Sequence, residues 1–436
     1  MAAALDYTYS YVAGSRLENA RLTLATCSAS EQHPYFFEGR LLEPRSVADQ
    51  LLVLTKVVRT HFFLRRPAIL DPVLTAGQGV LRVEGFSGCC GVYARIDLQE
   101  QAFDTELVGR GTTNVDFNEP MRAALARVRP DEQVRLSVGE QEVALARGEH
   151  KTVEKKVKLP VRWLKSFSEV QSYGPGLVPR FEVRPAGALA FLRSLPKTAP
   201  KCGQWVVATA DSLRLSQGQK AGAVSLSGPH RLAVLEPLMP GSGGLKVWYD
   251  EGSGVSAWEV ACATGRFFLM LSPELYRGFS GEGQNLASLA AGRGLELVNR
   301  VRAELRWQSR LDPEAMALKL GCAVEEVQSA LVVLGARGAA GYDAAEGAFF
   351  HRELPFDLEA VEALEPRLLR ARRLVAEGAV VRQGEADFSV VGKTATHFVR
   401  LRVEGDRCTC PWFSRHQGQR GPCAHILGAQ LSQDDA

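Results

Sequence analysis

Cysteine is scarce in this chain, nine in 436 residues, and an odd number of scattered thiols does not build a disulfide framework. Long hydrophobic runs are missing too: no stretch reaches the roughly 18 apolar residues of a membrane span. Met1 to Tyr11 has neither a basic nor an apolar region of a leader, so the expected address is the cytoplasm. The charge is nearly balanced at +3, so any electrostatic grip on a partner has to be local. No phosphate loop, nucleophile and base pair, or two-carboxylate arrangement stands out, and no catalytic activity is expected. Hydrophobic content of 46% and charged content of 23% are those of a globular protein too long for one core.

The patterning is α+β and multidomain. Short strands are read at Arg21–Leu24 and Tyr35–Glu38, then an amphipathic helix from Ser46, as N-cap, to Phe62. Strands at 79–83 and 92–96, a helix at 120–128 and a hairpin at 134–145 follow. Lys151 to Lys165 is basic and alternates at Val153, Val157, Leu159 and Val161. It reads as an edge strand guarded by lysines, with a phosphate-contacting patch as the alternative. Tyr173-Gly174-Pro175-Gly176 marks a linker. Beyond it come a helix at 186–195 and strands near 205, 213, 223, 234 and 245. Arg277 to Gly283 reads as a tight turn with Ser280 as cap of a helix at 284–306. The division expected is an N-terminal α+β domain (1–175), a second, strand-rich α+β domain (176–298), a winged-helix-like domain (299–356), and a basic helix with a metal module (357–436).

The winged-helix reading comes from Asp312 and Pro313 opening a helix, a turn at Gly321-Cys322-Ala323, a second helix striped by Val324, Val327, Leu331 and Leu334, and a hairpin around Glu346-Gly347. The second helix opens with Glu325 and Glu326, which phosphates would repel, so scaffold or protein docking is the expected use. Residues 366–375 form a helix with Leu368, Leu369 and Val375 inward and four arginines elsewhere. That basic face is either solvated or a footprint for an acidic partner or nucleic acid.

Six cysteines, Cys27, Cys89, Cys90, Cys202, Cys262 and Cys322, read as small buried hydrophobes. The other three are different. Cys408-Thr409-Cys410, twelve residues, then Cys423-Ala424-His425 supply three thiols and one imidazole, the closed set of a structural Zn²⁺ site. Cys408 and Cys410 are expected on one strand, pointing the same way, and Cys423 and His425 at a helix start, which favours thiolate. His416 is the competing fourth donor.

This stretch, from Cys408 through Pro411-Trp412-Phe413 to His425-Ile426-Leu427, resembles the SWIM zinc finger family, whose pattern is C-x-C-x(n)-C-x-H. The resemblance implies a ββα-type finger, Cys408, Cys410, Cys423 and His425 as ligands of one structural zinc, and protein or DNA binding. Arg352 to Phe356 and Pro366-Arg367-Leu368 are similar to stretches of bacterial SWIM proteins associated with MoxR-type AAA+ ATPases and von Willebrand A domain proteins. The expected function is a zinc-binding, non-enzymatic adaptor for protein partners of that kind, with a nucleic-acid-binding zinc finger as the alternative and no membrane role. Of Trp412 and Phe413, one is expected to pack and the other to be exposed.

Overall fold

The computed structural model describes residues 16–18, 21–23, 35–60, 72–157, 159, 161–200, 202–276, 278–279, 283–290, 295–354, 365–392, 395–402 and 404–434. Cys27, Phe62, Arg277, Ser280 and Phe356, each singled out above, lie outside them. Helix and antiparallel sheet are mixed, and none of the described helices is long and apolar enough to cross a membrane. The chain divides into two compact units: residues up to 159 with 180–247 and 257–270, and residues 160–179 with 248–256 and 271–436.

The first unit is built on sheets of five, eight and three strands. Its longest helix, Pro44–Arg59, lays Val47, Leu51, Leu54 and Val58 against the strands Val80–Phe86 and Val92–Gln99, whose own alternation buries Val83 and Ile96. The helix starts before the expected Ser46, because Pro44 occupies its first turn and Glu43 is the N-cap. Ser46 Oγ instead lies 3.4 Å from Thr264 Oγ1.

The hairpin Val134–Gly139 with Glu142–Arg147 forms as read. The strands Leu213–Ser216 and Val224–Leu226 both pair with Gln204–Ala208 and not with each other. Val234 and Leu235, expected on a strand, lie in the 3₁₀ helix Pro229–Leu238.

The basic stretch is an edge strand only over His150–Lys155; Val161–Val170 is a helix that buries Trp163, Phe167 and Val170. The positions 153, 157, 159 and 161 satisfy a strand pattern, but 163, 167 and 170 satisfy a helix, so the two periods overlap there. The one acid of the strand, Glu154, points inward, and burial pushes its carboxyl up to about 7.

In the second unit, Asp312 caps the helix Pro313–Leu320, its carboxylate accepting from the Glu314 and Ala315 amides, as its sequence position implied. Gly321, at φ +66°, turns the chain into the helix Val324–Ala336. Val327, Leu331 and Leu334 of that helix share a core with Val301, Leu311 and Phe349. Strands Ala340–Asp343 and Ala348–His351 close the segment as a hairpin. The helix Pro366–Ala376 buries Leu368, Ala371 and Leu374, leaving Leu369 exposed, so the inward stripe is offset from the expected one. Of the cysteines read as buried, Cys89 and Cys90 are, whereas Cys202 is exposed and Cys262 and Cys322 are half-buried.

Glu169 organises the middle of this unit. Fully buried on Val161–Val170, its carboxylate accepts the Gln284 amide at 2.6 Å, the Asn285 amide at 3.3 Å and the Tyr173 hydroxyl at 3.1 Å. Burial outweighs these bonds and pushes the group up to about 7. A carboxyl raised above its unfolded value contributes stability that is present below about pH 4.5 and lost as pH rises through about 7. In denaturant titrations, wild type should lose on the order of 3 kcal/mol more between pH 4.5 and 8 than Glu169→Gln does.

Candidate metal centre

The C-terminal module is a four-stranded antiparallel sheet, in the order Val380–Arg382, Asp387–Val391, Thr396–Arg400, Arg407–Cys408, with the helices Pro411–His416 and Ala424–Asp434. It is larger than the ββα unit expected. Phe388, Val390, Val399 and Ile426 form its core, and the three ligand-type cysteines are part of that core.

The donor atoms of Cys408, Cys410, Cys423 and His425 all lie within 4.8 Å of one another, and all four residues are buried. Each is delivered by a different local device. Cys408 ends the last strand, pointing inward because Val399, its cross-strand partner, does. Cys410 lies beyond the strand as the N-cap of Pro411–His416, its Sγ accepting the Phe413 amide at 3.4 Å. The expected i, i+2 strand geometry therefore does not hold: the strand ends at Cys408, and Cys410 already caps the helix opened by Pro411. Cys423 immediately precedes Ala424–Asp434 and accepts the Ile426 amide at 3.5 Å, and His425 sits in that helix's first turn with Nδ1 3.8 Å from Cys408 Sγ. The Cys410 amide donates to Cys408 Sγ at 3.4 Å. Each sulfur thus receives one backbone N–H, which favours its thiolate form.

Three thiols this close cannot all ionise without a counter-charge. The hydrogen bond from Cys408 brings Cys423 down to about 4, with His425 and the Ile426 amide adding to the effect, while the same bond pushes Cys408 up and burial raises Cys410. One thiolate is ready and two need a cation. Metal–sulfur bonds of about 2.3 Å place tetrahedral donors roughly 3.7 Å apart, so this cluster fits one structural zinc ion. His416 is not part of it; its ring packs on Trp412 at 4.3 Å.

The ligand loop is held by residues that spacing did not reveal. Arg367 Nη1 donates to the carbonyls of Arg420 at 2.6 Å and Pro422 at 3.0 Å, the latter just before Cys423. Gln284 Nε2 donates to the Gln419 carbonyl at 2.9 Å. Gly421, at φ +67°, passes so near the Gly283 carbonyl that a Cβ there would meet its oxygen at 1.9 Å. Trp412 is half-buried, with the Arg367 and Arg420 guanidiniums 4.9 and 5.2 Å from its ring, and Phe413 is the buried member of the pair.

A SWIM zinc finger family model matches residues 389–432, which lie within the C-terminal module. Comparison with characterised proteins finds no match. Among solved structures, the proliferating cellular nuclear antigen of Entamoeba histolytica is similar over 55% of this chain and 99% of that one, at 11% identity and a TM-score of 0.38, too distant to support an inference.

Metal analysis should return about one zinc per chain, and Cys423→Ser should abolish it and lower the melting temperature of the second unit. Equal zinc content in the two proteins would refute the assignment. Arg367→Ala keeps all four donors but frees the loop, so zinc affinity in a chelator competition should fall roughly 10–100-fold.

Proposed function

We propose that this chain is a zinc-stabilised, non-enzymatic cytoplasmic adaptor that docks protein partners through its SWIM module and the helix–turn–helix–hairpin segment. The observation that carries the reading is the closed donor set: the protein supplies all four ligands, which leaves no position for a metal-bound water. Zinc here holds shape.

The helix–turn–helix–hairpin segment is best read as a winged helix used as scaffold. Glu325 and Glu326 are exposed at the start of its second helix, and Glu326 is already engaged, accepting the Ala323 amide at 2.8 Å. Acids at that end oppose a phosphate backbone. The resemblance of Arg352 to Phe356 and of Pro366-Arg367-Leu368 to bacterial SWIM proteins favours an AAA+ ATPase or a von Willebrand A domain protein as partner. The second reading, nucleic-acid binding, draws on Arg370, Arg372 and Arg373, which stand exposed on the helix Pro366–Ala376.

In fluorescence anisotropy, duplex and single-stranded DNA should fail to bind at about 50 mM salt, while a pull-down from the native host should retain a specific protein with wild type and lose it with Cys423→Ser. DNA binding with a steep salt dependence would replace the adaptor reading with the second.

A further inference from the structure

The sheet of the SWIM module has two unlike faces. Strand alternation sends Phe388, Val390, Val399 and Cys408 inward to the zinc ligands and helices. On the outer face the register aligns Val381 with Ser389, Ser389 with Phe398, and Arg400 with Arg407. Three apolar side chains stand there in solvent: Phe398 at 63% exposure, Val391 at 51% and Val381 at 44%. A cleft of about 920 Å³ is lined by Phe398 together with Phe413, Ser414 and Gln417, while Val381 and Val391 lie outside it.

The charge around this cleft is uneven. Arg400, Arg402 and Arg407 line it against Asp387 and Glu404, and Asp387 is taken up by Arg400 at 2.5 Å. Arg402 and Arg407, both exposed, then face one carboxylate. An apolar centre with an aromatic ring and an arginine rim is the anatomy of a protein-docking hot spot. The volume suits a few side chains rather than a folded surface. A nucleic-acid strand would call for successive aromatic platforms, and Phe398 is the one ring on the outer face among the described residues.

We propose that this face is where the adaptor takes hold of its partner, and that the part bound is a short acidic protein segment with an apolar anchor. The anchor packs on Phe398 and the acidic residues meet Arg402 and Arg407. This rests on the adaptor reading and adds to it the surface and the chemistry of the partner.

The test uses the zinc-loaded full chain and three fluorescein-labelled probes: the peptide DEDFLDED, the same peptide with lysine at every acidic position, and a dT12 strand. The acidic peptide should bind and the lysine peptide should not. Phe398→Ala and Arg402→Glu should each weaken binding about tenfold or more, with zinc content unchanged as the check that the module is folded. No binding of the acidic peptide, or binding that both variants leave intact, overturns the proposal. Binding of dT12 that Phe398→Ala abolishes also overturns it, in favour of nucleic acid. If the host protein is still retained by a chain carrying both substitutions, this face is excluded while the adaptor reading stands.

Discussion

Three sulfurs and an imidazole confined within 4.8 Å are the constraint on which the C-terminal module depends. Without a cation, the thiols would have to share protons, and the module would retain a core in which Cys408, Cys410 and Cys423 occupy positions that aliphatic side chains would otherwise fill. With zinc, the last strand, a one-and-a-half-turn helix and the C-terminal helix meet at one point. Each of these elements is too short to be stable alone. The ion therefore replaces the apolar area that a module of this size lacks.

Much of this site was legible in the sequence because metal chemistry restricts both residue type and spacing. Cys408, Cys410, Cys423 and His425 announce themselves; Cys410's role as a helix cap does not, since Pro411-Trp412-Phe413 reads equally well as loop. The residues that fix the loop were beyond reach for another reason. Arg367 looked like one of four solvated arginines, and only the fold shows its guanidinium against the Arg420 and Pro422 carbonyls. Gln284 and Gly283 lie over a hundred residues upstream of the ligands they support.

The larger architecture followed the same rule. Local signals identified elements wherever period and cap agreed, as at Asp312 and Gly321, and along the hairpin at 134–147. They failed where two periods overlapped, as between Lys155 and Trp163, and where an apolar pair such as Val234-Leu235 fitted either a strand or a tight turn of helix. The composition of the two units, each assembled from separated stretches of chain, has no local signature at all, because a strand's sequence says which face is buried but not which neighbour lies beside it.

The close passage of Gly421 past the Gly283 carbonyl limits how the finger can vary over evolutionary time. The end of the loop nearest Cys423 is clamped, main chain against main chain, so an insertion or a bulkier residue there would displace a ligand. Lengthening is tolerable only upstream, around the left-handed Gln417 and Gly418, where a Cβ added at Gly418 meets nothing. The gap between the two halves of the ligand motif thus has one hinge of freedom and one fixed bearing, and divergent copies of this chain would be expected to differ in length at the first.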